Sequence, residues 1–269
     1  MARLSESHHS PLVVQLTDSH LFAEADGCLL GLNTADSLME VVRQVRAAHA
    51  RIDLLLGTGD LAQAASRQAY ERFHATTEGL SEHARWLPGN HDDVSLMRDF
   101  CRDHDLLEPV VDIGAWRLIL LDSTVPGEVH GWLSDDQLAL LERALAEAPE
   151  RHALVTFHHH PVPVGCAWME PLGVRNAQAL FAVLDRFPQV RAVLWGHIHQ
   201  EFEQERHGVR LMASPSTGLQ FEPGSVDFRA GEQQPGYRWL RLHDDGSFET
   251  GVSRVTGTVF TIDREAGGY

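Results

Sequence analysis

The stretch "PLVVQLTDSH", residues 11–20, changes character in its middle. Residues 11–17 are a short apolar run of the kind expected of a buried strand. Asp18 and His20 follow at once, where such a strand must stop. The same change recurs four times. "IDLLLGTGD" (52–60) runs into "GTGDL" (57–61), and "ARWLPGN" (84–90) into "PGNHD" (88–92). "HALVTF" (152–157) runs into "FHHHP" (157–161), and "RAVLWG" (191–196) into "WGHIH" (195–199). In open α/β sheets, ligands collect beyond the carboxyl ends of the strands. Five loops remote in sequence are therefore expected at one place.

Between these strands the pattern turns helical. Residues 34–50 carry Leu38, Val41, Val42 and Val45 at helical spacing, with Thr34 as the expected N-cap. Further helices are expected near 64–78, over 134–148 behind Ser134, and near 175–186, and a further strand at "WRLILLD" (116–122). Asp135 and Asp136 read as a first helical turn, favoured by the helix dipole. The last third changes to paired strands: 201–216 around "HG" and a hairpin over 237–255 with "DDG" at its turn. The expectation is one α/β domain over 1–269, with a motif core at 12–200 and late strands at 201–269 completing a second sheet.

Bulk numbers narrow the function. Among 269 residues, 43% are hydrophobic and 22% charged, which is globular composition. The formal net charge of −16 repels phosphate backbones and argues against nucleic-acid partners. An anionic substrate would need a local cation, and 38 acidic residues with 17 histidines are suitable ligand material for one. Cys28, Cys101 and Cys166 form no CxxC pair and are odd in number, so they read as reduced thiols. With no signal-like apolar stretch and no run of about 20 apolar residues, a soluble cytoplasmic protein without a membrane partner is expected.

The strand ends supply Asp, His, Asp, Asn and three further histidines, too many donors for one tetrahedral zinc and suited to two adjacent metals. Asp18 and His20 are two apart, as are His197 and His199, so in extended backbone each pair would point the same way. Gly59, Gly89 and Gly196 precede these residues and are read as permitting tight turns. A lone DxH, HxH or GD carries little information; the ordered set of five at strand ends carries much.

That set, DxH, GD, GNH[DE], HH and GHxH over about 12–200, resembles the calcineurin-like, or binuclear, metallophosphoesterases. The resemblance implies an α/β four-layer αββα sandwich of two mixed β-sheets flanked by helices. It implies that Asp18, His20, Asp60 and His199 bind a first metal, and that Asp60 bridges to a second completed by Asn90, His158 and His197. His20, Asp60, Asn90, His91 and His199 would face the substrate. His91 would lie near the phosphate without binding metal, as the candidate general acid, with Asp92 orienting it. Aligning "HHHPVP" with the family's "HHPPxP" selects His158 as the ligand. His159 is left a supporting or solvated place, and His160 a structural one where the family has proline.

A narrower resemblance rests on "LTDSHLF", "TGDLAQ" (58–63), "WLPGNHD" (86–92), "HHHPVPVGCAW" (158–168), "VRNAQAL" (174–180), "GHIHQE" (196–201) and "SPSTGLQFEP" (214–223). These are similar to bacterial class III cyclic 3′,5′-AMP phosphodiesterases. The implied reaction is hydrolysis of 3′,5′-cyclic AMP to 5′-AMP by a metal-activated hydroxide at a dinuclear site, lowering cellular cyclic AMP. The implied cofactors are two divalent metal ions, iron and manganese foremost, with zinc or cobalt as alternatives. The implied partner is a small molecule, and oligomeric state stays open. A broader phosphodiesterase acting on 2′,3′-cyclic nucleotides or glycerophosphodiesters remains the alternative, because it shares the core motifs. The protein Ser/Thr phosphatase GDxxDRG pattern is absent: the chain has "GDLAQAA". Weaker features are assigned to support. Trp168 and Phe221 read as packing before adenine stacking. Arg175 and Asn176 are offered as a cleft lining or a helix cap, and His130 as a loop residue. His8 and His9 lack a neighbouring motif.

Overall fold

The apolar run that opens at Leu12 is buried at every position because it is covered on both faces. Alternation along the strand divides its side chains. Leu12, Val14 and Leu16 join one apolar cluster, and Val13 joins another. The computed structural model from which this comes describes residues 2–4 and 10–263. His8 and His9 lie outside them.

The strands are β1 Ala2–Leu4, β2 Leu12–Leu16, β3 Cys28–Leu29, β4 Leu32–Asn33, β5 Leu54–Thr58, β6 Ala84–Leu87 and β7 Val110–Ile113. They continue as β8 Trp116–Leu120, β9 His152–Thr156, β10 Val190–Trp195, β11 Phe202–Arg206, β12 Val209–Ala213, β13 Gly236–Leu242 and β14 Phe248–Arg254. The α-helices are α1 Thr34–Ala48, α2 Arg67–Thr77, α3 Val94–Phe100, α4 Asp135–Ala146 and α5 Ala177–Leu184.

The smaller sheet runs β14-β13-β2-β5-β6, and the larger β1-β7-β8-β9-β10-β12-β11. Both are mixed. β2, β5 and β6 are parallel with β13 antiparallel, and β8, β9, β10 and β12 are parallel with β7 and β11 antiparallel at the flanks. Three apolar clusters account for the layering. Leu38, Val41, Val42 and Val45 of α1, with Tyr70 and Phe73 of α2, pack on Val14, Leu16 and Leu55. Val13, Leu54 and Leu56 of the smaller sheet meet Leu118, Leu154 and Leu194 of the larger. Ile119, Val155 and Val193 face Leu141 and Leu145 of α4 and Leu180 and Val183 of α5. Helices, sheet, sheet and helices therefore stack in four layers, the αββα arrangement. Each fully buried Leu or Val adds about 1.5–3 kcal/mol.

Some boundaries differ from the sequence reading. The late strands do not complete one sheet: β11 and β12 extend the larger, while β13 and β14 extend the smaller. The N-cap of α1 is Asn33, whose side chain accepts from Asp36 N at 2.9 Å, instead of Thr34. Ser134 does cap α4, accepting from Gln137 N, with Asp135 and Asp136 in the first turn. Asn176 precedes α5 without a capping side-chain bond and instead clasps Leu133, giving Nδ2 to its carbonyl at 2.7 Å and accepting its N–H at 2.9 Å. β7 and α3 were not anticipated. Among the described residues, no helix is long and apolar enough to cross a membrane.

Candidate metal centre

Because β2, β5 and β6 run parallel, as do β9 and β10, the five chemistry-bearing loops leave each sheet at a shared edge. Main-chain bonds then fasten them together. Asp18 N donates to Gly59 O at 3.0 Å, His20 N to Asp60 O at 2.9 Å and Leu21 N to Leu61 O at 3.0 Å. Across the sheets, Gly196 N donates to His158 O at 3.1 Å, and His197 N reaches the Asp18 carboxylate at 3.0 Å.

The backbone here is not extended, which corrects the geometry expected of the DxH and HxH pairs. Asp18, His20, Asp60, His197 and His199 all have positive φ, between 46° and 67°. Non-glycine residues rarely adopt this region, and each such conformation costs on the order of 1–3 kcal/mol. Hydrogen bonds over-determine it: Ser216 Oγ donates to Asp18 O at 2.6 Å, Thr17 Oγ1 to Asp18 Oδ2 at 2.7 Å and His91 N to Asp60 Oδ1 at 2.8 Å. The glycines serve differently from one another. Gly59 does have φ +93°. Gly89 and Gly196 are there for close approach: a Cβ would lie 2.2 Å from Asp60 Oδ1 at the first and 2.6 Å from Asp18 Oδ2 at the second.

The side chains converge as two donor triads, Asp18–His20–His199 and Asp60–His158–His197, each with ligand atoms within 4.8 Å of one another. His199 Nε2 lies 3.3 Å from Asp18 Oδ1, and His158 Nε2 lies 3.1 Å from Asp60 Oδ2. Asp60 also lies 3.8 Å from His20 Nε2, between the two groups. Asn90 Oδ1 and His197 Nε2 are buried without a hydrogen-bond partner. Two buried carboxylates, imidazoles and orphaned lone pairs aimed at a common volume are the donor set a pair of divalent cations requires. The residues fit the metals that the sequence implies. His91 joins His20 and Asp60 in a third such group.

Protonation supports the same reading. Burial, reinforced by His199 and His91, pushes His20 down to about 3, and burial with the neighbouring histidines holds His197 well below the imidazole range. Neutral imidazole is the metal-binding form. Burial also opposes charge on His158, but Asp60 and Asp18 outweigh it and raise the group to about 9. A cation between them would take over the carboxylates' charge and displace that proton.

The triplet at 158–160 separates by role. His158 lies in the second triad. His159 is not solvated: it is fully buried, Nδ1 lies 2.8 Å from Ser123 Oγ, and its ring sits 4.7 Å from that of His197. His160 is buried and stacks on His197 at 5.7 Å, a packing place. Asp92 does not have the orienting role expected of it. Its carboxylate collects the N–H groups of Leu61, Ala62 and Gly89, tying the two loops together, while His91 Nδ1–H donates to the Gln63 carbonyl at 2.8 Å. Burial, with Asp60 nearby, pushes Asp92 up to about 7. Phe221 is buried and stacked flat on His199 at 4.0 Å, with Trp168 edge-on to it at 5.0 Å, so both are packing. His130 lies near Glu128, and Arg175 is exposed.

Several supporting groups were missed. Thr58 O accepts from His158 Nδ1 at 2.9 Å, Leu219 O from His199 Nδ1 at 2.7 Å, and Gln63 Oε1 from His20 Nδ1 at 2.7 Å. Two are main-chain oxygens, for which sequence carries no signal. Gln63 stood in a quoted motif, "TGDLAQ", without an assigned task.

Comparison with known proteins agrees with this geometry. The calcineurin-like phosphoesterase family matches residues 11–201. The chain is 55% identical over 260 residues to the 3′,5′-cyclic adenosine monophosphate phosphodiesterase CpdA of Pseudomonas aeruginosa, covering 97% of this chain and 96% of that one. It is 44% identical over 259 residues to the protein of the same name from Escherichia coli K12, covering 96% and 94%. Among solved structures, a dimetal phosphatase from Danio rerio shares the fold at TM-score 0.61 and 17% identity, covering 92% of this chain and all of that one.

Proposed function

The chain belongs to the calcineurin-like phosphoesterase family, and from that premise we propose that it hydrolyses 3′,5′-cyclic AMP to 5′-AMP at a dinuclear metal centre. One observation carries the chemistry: two donor triads meet at Asp60, with unpartnered buried lone pairs from Asn90 and His197 beside them. The full-length likeness to the two phosphodiesterases supports the substrate.

Asp18, His20 and His199 would hold one ion, and Asn90, His158 and His197 the other. Asp60 lies between the two groups and has an oxygen to offer each. When bound, the metals supply Lewis acidity toward the phosphoryl oxygens and lower the pKa of water from about 15.7 toward about 7. Asn90 contributes a neutral carbonyl oxygen, which limits the negative charge facing an anionic diester. The bond to the ribose 3′ oxygen breaks as the bond from phosphorus to the water oxygen forms, and that water releases one proton to solvent. The departing alkoxide is strongly basic and takes a proton. We assign that proton to His91, which gives it from Nε2 as the imidazolium while its Nδ1–H stays bonded to the Gln63 carbonyl at 2.8 Å. General-acid assistance contributes about 10²–10⁴-fold. Iron and manganese are the ions proposed, since mixed carboxylate and imidazole sites suit them. A cytoplasmic location is proposed on the three free cysteines.

Phosphorus NMR of a mixture tests the reading. Mn²⁺-loaded protein is incubated with 3′,5′-cyclic AMP, 2′,3′-cyclic AMP and a glycerophosphodiester, with a chelated sample beside it. Conversion of the 3′,5′ signal alone to 5′-AMP, stopped by chelation, is expected. Equal loss of all three diesters would make the enzyme a general phosphodiesterase, and no turnover despite bound metal would overturn the assignment.

A further inference from the structure

Four histidines of the centre have Nδ1 bonded to an oxygen, and three of those oxygens belong to the main chain: Thr58 O for His158, Leu219 O for His199 and Gln63 O for His91. His20 differs. Its Nδ1 is 2.7 Å from a side-chain oxygen, Gln63 Oε1. Gln63 therefore meets two imidazoles at once, His20 through its amide and His91 through its carbonyl at 2.8 Å. Those rings pack edge-on at 4.9 Å. The residue is itself fixed, because Gln63 N donates to Leu21 O at 2.9 Å, one residue beyond His20.

We infer that Gln63 is a positioning residue that sets the tautomer of His20 and the ring planes of His20 and His91 together, holding a metal ligand and the proton donor in register. The inference rests on the metal centre proposed above. An acceptor at Nδ1 keeps the proton there and turns the Nε2 lone pair toward the cation. The amide oxygen does this for His20 without bringing a further negative charge to the site. The task at His91 survives any side-chain change, since a main-chain carbonyl performs it. The task at His20 does not. Gln63→Met keeps length and shape but lacks the oxygen, whereas Gln63→Glu keeps an acceptor.

The test is titration of the full-length metal-free chain with Mn²⁺ by calorimetry, for wild type and both variants, with proton–nitrogen NMR of the histidine rings. The wild type takes up two ions and shows Nδ1–H at both His20 and His91. Gln63→Met weakens one ion by about 10–100-fold, leaves the other unchanged, and loses the Nδ1–H signature of His20 while His91 keeps its own. Gln63→Glu retains tight binding of both. A natively folded Gln63→Met protein that binds both ions as the wild type does overturns the role of Gln63 alone. So does equal weakening by Met and Glu, which would mark a packing role. A wild-type His20 protonated at Nε2 overturns it without any variant. A wild type that takes up no Mn²⁺ overturns the metal centre and this inference with it.

Discussion

Asp112 and Asp60 are both buried carboxylates, and the molecule treats them in opposite ways. Asp112, on β7, is answered by protein: Arg117 Nε lies 2.7 Å from one oxygen and its terminal nitrogen 2.9 Å from the other, with Arg151 Nε at 3.4 Å. Asp60, just beyond β5, instead meets imidazole nitrogens, His158 Nε2 at 3.1 Å and His20 Nε2 at 3.8 Å, and the main-chain N–H of His91 at 2.8 Å. The first is a closed ion pair between neighbouring strands. The second stands beside imidazoles and a second carboxylate, on a backbone bent into the left-handed region. Of seven such non-glycine residues described, five are proposed metal ligands. On the function proposed above, the contrast separates charge that holds the fold from charge kept for a cation.

The sharpest way to break this comparison is Asp60→Ala. Turnover of 3′,5′-cyclic AMP should fall to the detection limit with loss of bound metal, read by elemental analysis of the purified protein. Retained metal and turnover would remove Asp60 from the centre. His91→Ala should lower turnover by about 10²–10⁴-fold while both ions stay bound; parallel loss of metal would make His91 a ligand instead. Arg117→Met should act only on the other side of the comparison. Leaving buried Asp112 with Arg151 but without its two-point contact to Arg117 costs up to about 3–5 kcal/mol, or roughly 10 °C in melting temperature, with turnover per folded molecule unchanged. Gly89→Ala sharpens the boundary between the two classes. Its Cβ would press on Asp60 Oδ1 at 2.2 Å, so a loss of about 1–3 kcal/mol should accompany weaker Mn²⁺ binding. Loss of stability with unchanged Mn²⁺ affinity would contradict it.

Most of the frame was legible because the physics that builds it is periodic. β2, β5 and β10 are covered on both faces and read as continuous apolar runs; α1 shows its buried stripe at Leu38, Val41, Val42 and Val45. The proposed ligands were legible as residue types at strand ends. Their backbone geometry was not. The spacing of Asp18 and His20 suggested an extended pair, whereas positive φ at both depends on Gly59, Asp60 and Ser216, remote contacts that no local pattern encodes. β7 was missed because Val110–Ile113 is a four-residue strand interrupted by Asp112, whose partner Arg117 lies on the next strand. Asp92 was misread for a similar reason. Adjacency to His91 suggested pairing, but three amide donors from two loops take up its carboxylate.

Anomalous diffraction from crystals of the Mn²⁺-loaded protein tests the central claim most directly. The account predicts two peaks about 3.5–4 Å apart, one among Asp18, His20 and His199, the other among Asn90, His158 and His197, with Asp60 touching both. A single peak, or two peaks that Asp60 does not join, would contradict it.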